Sequence, residues 1–497
     1  MQLLLSLLFY WLIFIPNSAN ELTDSNSAGN RIAIHIDSDS SFPNDEQLQL
    51  ARTIGVDLIE IEDPIRLSST ALANFYILLS SDNKFLTPRQ ITEDRDQLIN
   101  RTVQRYSGFS SQIQNRIAAV SMLKYPADFA HNFGRELSFI GDSLSQTLSK
   151  PIYYQSAFAE PRHFPQPLGF ISVSYHVNST DSLPSTPVIH FNPNPQENRK
   201  SVQKLEEVLN ASLAHETSII ILPSDWFFQT LDLQPDLAIL LTDHVIGKEV
   251  LFPLPAKDAP SMAPNWHIIL LFVIFVLLLL HYKYQPFFIS FAGRYFFNHS
   301  FFMADLFEGR VRSKSSGYVI FVVHALATGL LFYVVSRVLI SPTGFAALEY
   351  YLPHFFLAGF EQYTLFITGF LLAILSHGIS VFWLILFNKK ITQLTQAIHL
   401  YCWPLLINII LLFLIVVLAE TQSSPLLILS LSAIFLVVWF FSFNIAAIDG
   451  SRQLDGSPIW NLALTVGLHA VLIFSALFSV LLNPALLEPI HLVLNLP

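Results

Sequence analysis

The chain has 497 residues, a mean hydropathy of +0.48 and only 13% charged residues, against about 25% in soluble domains. Its formal net charge is −10, and the acidity is confined to the first part: residues before 265 include 18 basic and 29 acidic side chains, whereas the remainder has nine and eight. An acidic N-terminal part argues against nucleic-acid binding and against binding to anionic lipid through a polybasic segment.

The chain begins with an apolar run, MQLLLSLLFYWLIFIPNSA, that ends in small residues. This pattern predicts a secretory signal peptide over 1–19, cleaved after Ala19. Because the run lacks Lys and Arg in its first residues, an uncleaved membrane anchor is the alternative. The only cysteine, Cys402, falls inside a predicted membrane span. An exported domain would therefore contain no disulfide.

The residues between 30 and 250 alternate short β-rich runs with helical patterns. The predicted strands are RIAIHID (31–37), VDLIEIED (56–63), FYILLSS (75–81), IAAVSML (117–123), PIYYQSA (151–157), GFISVSYHV (169–177), PVIHFN (187–192) and the start of SIIILPSDWFF (218–228), with LAILLTD (237–243) as a further candidate. Such alternation is typical of parallel βα units. About eight units predict a TIM-type α/β barrel; a doubly wound sheet is the alternative.

The order of these segments resembles the catalytic barrel of family-2 glycoside hydrolases, the β-galactosidase and β-glucuronidase group. LARTIGVDLIEIEDP (50–64) is similar to the family's second helix–strand unit, and QNRIAAVSML (114–123) to its fourth strand. PVIHFN (187–192) resembles the seventh strand and SIIILPSDWFF (218–228) the eighth. The resemblance covers about residues 30–245 and implies a barrel with its site at the carboxyl ends of the strands.

The chain departs from this family at the catalytic positions. Retaining glycosidases use two carboxylates about 5 Å apart, and the resemblance implies Asn-Glu at the end of the fourth strand and Glu at the end of the seventh. Here the fourth strand ends in Leu123-Lys124-Tyr125 and the seventh in His190-Phe191-Asn192. The resemblance therefore implies a degenerate, non-catalytic barrel that binds a glycan or a protein partner. A membrane-anchored glycoside hydrolase is the alternative if the register is shifted.

Polar and aromatic residues near the predicted strand ends indicate where a ligand would bind, because TIM barrels form their sites there. The predicted ligand-binding residues are Asp37, Glu62, Asn192, Asp225 and Trp226. Asp39, Glu60 and Asp63 are further carboxylates of this kind. The simpler interpretation is that the acids lie in loops and helix caps and that Trp226 packs in the core. Neither metal-ligand spacings nor glycine-rich phosphate loops occur, so we expect no metal, no cofactor and no catalytic residue.

Six apolar runs in the second part are long enough to cross a bilayer. The predicted spans are 266–282, 317–339, 362–388, 399–419, 425–447 and 460–482. Every second loop contains basic residues: Lys283, Arg294, Arg310, Arg312 and Lys314, then Lys389 and Lys390, then Arg452. The positive-inside rule places these loops in the cytoplasm and the N-terminal domain outside. We expect an all-α polytopic domain in the plasma or inner membrane, contacting the lipid bilayer.

Three further features concern the membrane domain. A linker over 251–265 has four prolines and predicts an extended spacer. The run TQAIHLYCWPLLINIILLFLIVVLAE resembles Yip1-type membrane domains, which implies no chemistry. His377, Glu361 and His469 lie within or beside predicted spans, and ionisable residues at that depth open a third alternative, a transporter or channel.

Overall fold

A computed structural model describes the following parts of the chain: 31–37, 42–127, 133–157, 169–176, 188–193, 198–213, 219–251, 265–311, 314–356, 360–452 and 458–496. The predicted signal peptide and almost all of the linker over 251–265 lie outside the described residues. The described residues form two compact units, one within Met1–Met262 and the other within Ala263–Asn495.

The first unit is a closed barrel of eight parallel strands in chain order, in which the last strand pairs with the first. The strands are β1 (Arg31–Ile36), β2 (Leu58–Ile61), β3 (Tyr76–Leu79), β4 (Ile117–Lys124), β5 (Ile152–Ser156), β6 (Phe170–His176), β7 (Val188–Asn192) and β8 (Ile219–Pro223). This topology confirms the predicted TIM-type barrel. The doubly wound alternative is wrong, because that fold has an open sheet.

Helices connect these strands. The described helices of this unit are α1 (Asp45–Ile54), α2 (Ser69–Asn74), α3 (Pro88–Glu93), α4 (Arg95–Ser107), α5 (Ser111–Arg116), α6 (Phe133–Leu148), α7 (Asn198–Ser212), α8 (Ser224–Leu233) and α9 (Leu237–Val245). The prediction of a strand over 237–243 is wrong, since this run lies in α9. A short apolar run does not distinguish a strand from a buried helix by its period. Leu237 and Leu241, one turn apart, are both buried.

Local sequence sets the ends of α1. Asn44 accepts a hydrogen bond from the Gln47 backbone while the Gln47 side chain accepts one from the Asn44 backbone, a capping box that satisfies two donors at the helix start. Gly55 ends the helix with φ at 108°, a left-handed conformation that favours glycine. The chain then turns directly into β2.

The second unit is helical. Its described helices are α10 (Trp266–Tyr284), α11 (Phe288–Phe297), α12 (His299–Phe307), α13 (Ser315–Leu339), α14 (Pro342–Tyr351), α15 (Glu361–Phe387), α16 (Leu394–Cys402), α17 (Leu405–Glu420), α18 (Pro425–Ser451), α19 (Pro458–Leu462), a π-helical turn (Ala463–Gly467), α20 (Leu468–Leu481) and α21 (Pro484–Asn495). Within the described residues, six helical stretches have the length and apolarity of membrane spans, and each coincides with a predicted span. The chain is therefore an integral membrane protein.

The six spans differ in how far they are covered by protein. The most apolar window of α13 is 72% buried within the unit, whereas that of Ile459–Ser479 is only 6% buried. Helix α13 therefore lies at the centre of the bundle. The fourth span consists of α16 and α17, separated by a turn at Trp403-Pro404, where proline lacks the N–H that a continuous helix needs.

Candidate ligand site in the barrel

The interior of the barrel changes from apolar to polar along the strands. One buried layer is apolar and contains Ala33, Leu58, Leu78, Ala119, Tyr153, Phe170, Val188, Ile219 and Ile221. Side chains two residues further along a strand lie on the same face, and most of these are polar: His35, Glu60, Ser80, Ser121, Gln155, Ser172 and His190. TIM barrels usually fill this space with branched aliphatic side chains. The polar layer at the carboxyl end is therefore the candidate site.

Glu60 on β2 is the centre of this layer. Its side chain is fully buried. Tyr153 on β5 donates its hydroxyl hydrogen to Glu60 Oε1 at 2.7 Å. His35 Nδ1 on β1 and His190 Nε2 on β7 lie 2.8 and 3.2 Å from Glu60 Oε2. Three strands thus place partners around one carboxylate. These contacts offset the cost of burying a charge.

The electrostatics of this cluster follow from burial and from its neighbours. Burial alone would raise the pKa of Glu60, but His190 and His35 beside it outweigh burial and hold the pKa well below its usual range. Burial and the nearby Lys124 ammonium lower the pKa of His35. His35 is therefore neutral at pH 7 and donates from Nδ1 to Glu60. Its other nitrogen, Nε2, accepts a hydrogen bond from Lys124 Nζ at 3.4 Å.

Two aromatic residues beside this layer have strained backbones. Phe85 and Tyr125 have φ angles of 55° and 51°, in a region that bulky side chains rarely occupy. Their rings lie 5.8 Å apart. Gln155 Nε2 donates to the Tyr125 hydroxyl at 2.9 Å, and burial raises the pKa of Tyr125 to about 12. Such strain concentrates at functional sites, which supports a site at this end of the barrel.

The structure brings two of the predicted residues together. Lys84 Nζ lies 2.6 Å from Glu62 Oε1 and 4.0 Å from Asp37 Oδ1. Arg105 also reaches this region, where it donates to the Ser80 carbonyl at 2.8 Å and to the Glu62 carbonyl. Asp37 and Glu62 therefore share one ammonium group just beyond the ends of β1 and β2.

The other three predicted residues lie on β7 and α8. Asn192 ends β7, two residues beyond His190 on the same face of the strand. Asp225 is exposed in the first turn of α8. Trp226 is buried, packs on Phe191 with 5.5 Å between ring centroids, and donates to Asn198 Oδ1 at 3.0 Å. Trp226 thus belongs to the core between strands and helices, as the simpler interpretation expects. A ligand-binding role for the five residues stays a prediction.

Sequence reasoning did not assign His35, Lys124, Tyr153 or His190 to the site. His35 and His190 show no metal-ligand spacing within the chain. The strand sequences themselves indicate the site. Polar residues occupy strand positions where a barrel interior is usually aliphatic, as in AIHI, LIEI and ISVS. The partners of Glu60 could not be identified in this way, because they come from distant strands.

The geometry is suited to holding a polar ligand. Glu60 Oε1 accepts a hydrogen bond from Tyr153, and Oε2 lies within ion-pair distance of His35 and His190. Gln155 Oε1 and Ser172 Oγ are buried, adjacent in register, and have no hydrogen-bond partner among the described residues. Buried polar atoms without partners are rare in folded proteins. A ligand hydroxyl group could satisfy both atoms.

Comparisons with known proteins do not identify a family for this chain. No protein-family model and no curated protein matches the chain. Among solved structures, it is similar to a β-glucuronidase from Ruminococcus gnavus, in complexes with uronic deoxynojirimycin and with D-glucaro 1,5-lactone. Both similarities have a TM-score of 0.27 and 10% identity, and cover 39% of this chain and 34% or 35% of the other. The chain thus spans about a third of that enzyme's length, and the barrel assignment rests on the strand topology above.

Proposed function

We propose that this membrane protein holds its barrel outside the cytoplasm and binds a hydroxyl-rich ligand, a glycan, at the carboxyl end of the barrel without hydrolysing it. The observation that carries the proposal is the buried Glu60 with its partners from β1, β5 and β7. A carboxylate that only orients donors is typical of a preorganised binding site. The helical unit anchors the barrel in the membrane.

The non-catalytic role is supported by the residues at two strand ends. β4 ends in Lys124 and β7 in Asn192, where the glycoside hydrolase resemblance implies the proton donor and the nucleophile. An ammonium and an amide cannot serve as that pair of carboxyl groups. The positive-inside pattern of the loops supports the outward orientation of the barrel.

Hydrolysis is the second candidate function, and one observation favours it. Asp37 and Glu62 both contact Lys84, so two carboxylates lie close together beyond the strand ends. In glycosidases the separation of two carboxyl groups decides whether they act with retention or inversion.

Binding and hydrolysis can be separated with the full-length protein in mild detergent. We expect glycan-array binding by the natural chain and, for Glu60→Gln, an affinity at least about ten-fold weaker, because hydrogen bonds to charged groups contribute about 1.5–3 kcal/mol. The matched control is Glu207→Gln, on the exposed face of α7, which should bind normally. Circular dichroism would verify that each variant is folded.

Artificial glycoside substrates test the alternative in the same samples. Turnover that is abolished by Glu62→Gln or Asp37→Asn, and kept in Glu207→Gln, would establish a hydrolase and overturn the non-catalytic proposal. Absence of both binding and turnover would contradict both candidate functions.

A further inference from the structure

A continuous chain of hydrogen-bonded side chains lies inside the membrane unit. Asn408 Nδ2 is 2.9 Å from His324 Nε2, and His324 Nδ1 is 3.2 Å from His377 Nε2. His377 Nδ1 is 3.1 Å from the Tyr401 hydroxyl. Ser380 hydrogen-bonds to the same hydroxyl, as does Trp439 Nε1 at 2.9 Å. All the links of the chain from Asn408 to Tyr401 are buried.

The chain lies at membrane depth. His324 is nine residues from the start of α13 and fifteen from its end, which corresponds to roughly 13 and 22 Å of helix. His377 is sixteen residues from the start of α15 and ten from its end. Both imidazoles are therefore close to mid-span, on helices that cross the hydrocarbon core. Ionisable side chains at this depth usually mark a transport pathway or a proton relay.

One arrangement of donors and acceptors runs from Asn408 to Tyr401. The Asn408 amide nitrogen is a donor, so His324 Nε2 accepts and Nδ1 carries the proton. His324 Nδ1–H then donates to His377 Nε2, and His377 Nδ1–H donates to the Tyr401 oxygen. Tyr401, which also accepts from Trp439, is left to donate its hydroxyl hydrogen to Ser380. Each link is consistent with two neutral imidazoles.

The opposite direction satisfies the same links. If the Asn408 amide turns, Oδ1 accepts from His324 Nε2–H, and every later bond reverses its donor and acceptor. Asn408 Oδ1 has no partner among the described residues. In either orientation of the amide, one of its two polar atoms is hydrogen-bonded and the other is not. The two directions therefore have the same number of hydrogen bonds.

We propose that this chain, from His324 through His377 to Tyr401, is a proton relay in the membrane domain. A proton that binds His324 Nε2 releases the Nδ1 proton to His377 Nε2. His377 in turn releases its Nδ1 proton to the Tyr401 oxygen. Tyr401 passes its own hydroxyl proton to the Ser380 oxygen, and Ser380 releases its hydroxyl proton. One proton enters and one leaves, no net charge remains, and rotation of the Asn408 amide and the two rings resets the chain.

Proton flux into liposomes tests the relay. The full chain is reconstituted in vesicles containing a pH-sensitive dye, and a potassium gradient with valinomycin drives protons. We expect flux above protein-free vesicles for the natural chain, and loss to the protein-free level for His377→Gln and Tyr401→Phe. His469→Gln is the control, because His469 stacks on Phe443 outside the relay, and its flux should equal that of the natural chain.

Tyr401→Phe removes one hydroxyl group and keeps the ring, so the bundle should stay folded; its melting temperature in detergent checks this. Equal flux in the natural chain and Tyr401→Phe, or no flux in the natural chain, would overturn the relay. The alternative is a static hydrogen-bond network that only links the helices. It is distinguished from the relay by ¹⁵N spectra of histidine-labelled protein in bilayers. The relay predicts that His324 and His377, assigned by their loss in the glutamine variants, exchange between both tautomers, whereas a single tautomer for each would overturn it.

Discussion

Individual residues of the barrel show two ways in which a titratable side chain is accommodated out of water. Glu60 remains ionised because Tyr153, His35 and His190 surround it with donors. Among the described residues, His244 on α9 has no comparable set of partners. It is fully buried, Ser212 Oγ lies 3.5 Å from its Nε2, and burial lowers its pKa to about 4. Glu60 thus has the partners that an interior charge needs, whereas a charge on His244 would not be compensated in the folded barrel.

The stability of the barrel should therefore fall on acidification. The His244 pKa is 6.5 in an unfolded chain and about 4 in the folded one. Between these values the unfolded state binds more protons, so the free energy of unfolding is highest above pH 6.5 and decreases as the pH falls towards 4. The decrease attributable to His244 is at most about 3 kcal/mol. Urea unfolding followed by circular dichroism from pH 7 to pH 4 measures it.

The control for this prediction is His244→Leu. Leucine cannot titrate, and Ser212 retains its bond to the Leu209 carbonyl at 2.7 Å. The variant should show a shallower pH dependence, with a residual slope from His35, whose pKa burial and Lys124 also lower. Identical slopes for the variant and the natural chain would show that His244 is not the acid-sensitive group.

At the scale of single elements, α13 and α15 pack through two reciprocal contacts. A Cβ atom on Gly329 would lie 2.7 Å from the Phe366 carbonyl oxygen, and one on Gly369 would lie 2.8 Å from Phe332 Cγ. Each helix thus presents a glycine to a phenylalanine of the other helix. Small residues allow membrane helices to approach closely and to gain dispersion energy. The same close packing places His324 against His377.

Gly329→Ala should therefore destabilise the membrane domain. The added methyl group meets backbone as well as the Phe366 ring, so the helices must separate, at a cost of about 1–3 kcal/mol. Thermal unfolding in detergent measures the change. Gly378→Ala on α15 is the matched control, since a Cβ there would meet nothing within 4 Å. That variant should be at least as stable as the natural chain, because alanine favours the helix more than glycine does. An equal loss in both variants would refute close packing as the cause.

The whole molecule combines a barrel and a membrane bundle. The proposal requires that the barrel lie on the outer side of the bilayer. Cys402 is the only cysteine and is buried, so Cys402→Ala provides a cysteine-free background. A membrane-impermeant maleimide added to intact cells should label Lys248→Cys in the barrel and Thr421→Cys between α17 and α18. It should label Lys389→Cys only after lysis. The reverse pattern would place the barrel in the cytoplasm.

Much of this organisation could be predicted from the sequence alone. The membrane spans follow from apolar length, and the strands from short β-rich runs between helical patterns, because both properties are local to a segment. An error arose where a local pattern is ambiguous. The run over 237–243 has the composition of a strand and lies in α9.

Only the tertiary structure decided which polar residues meet. Glu60 and Tyr153 are 93 residues apart in the chain, and His324 and His377 are 53 apart. Barrel closure sets the first contact and the packing of α13 on α15 sets the second. Hydropathy and strand periodicity describe what each segment buries, and this determined the barrel and the six spans. They contain no information on long-range pairing, so the Glu60 cluster and the histidine chain emerged only when the folded elements were in place.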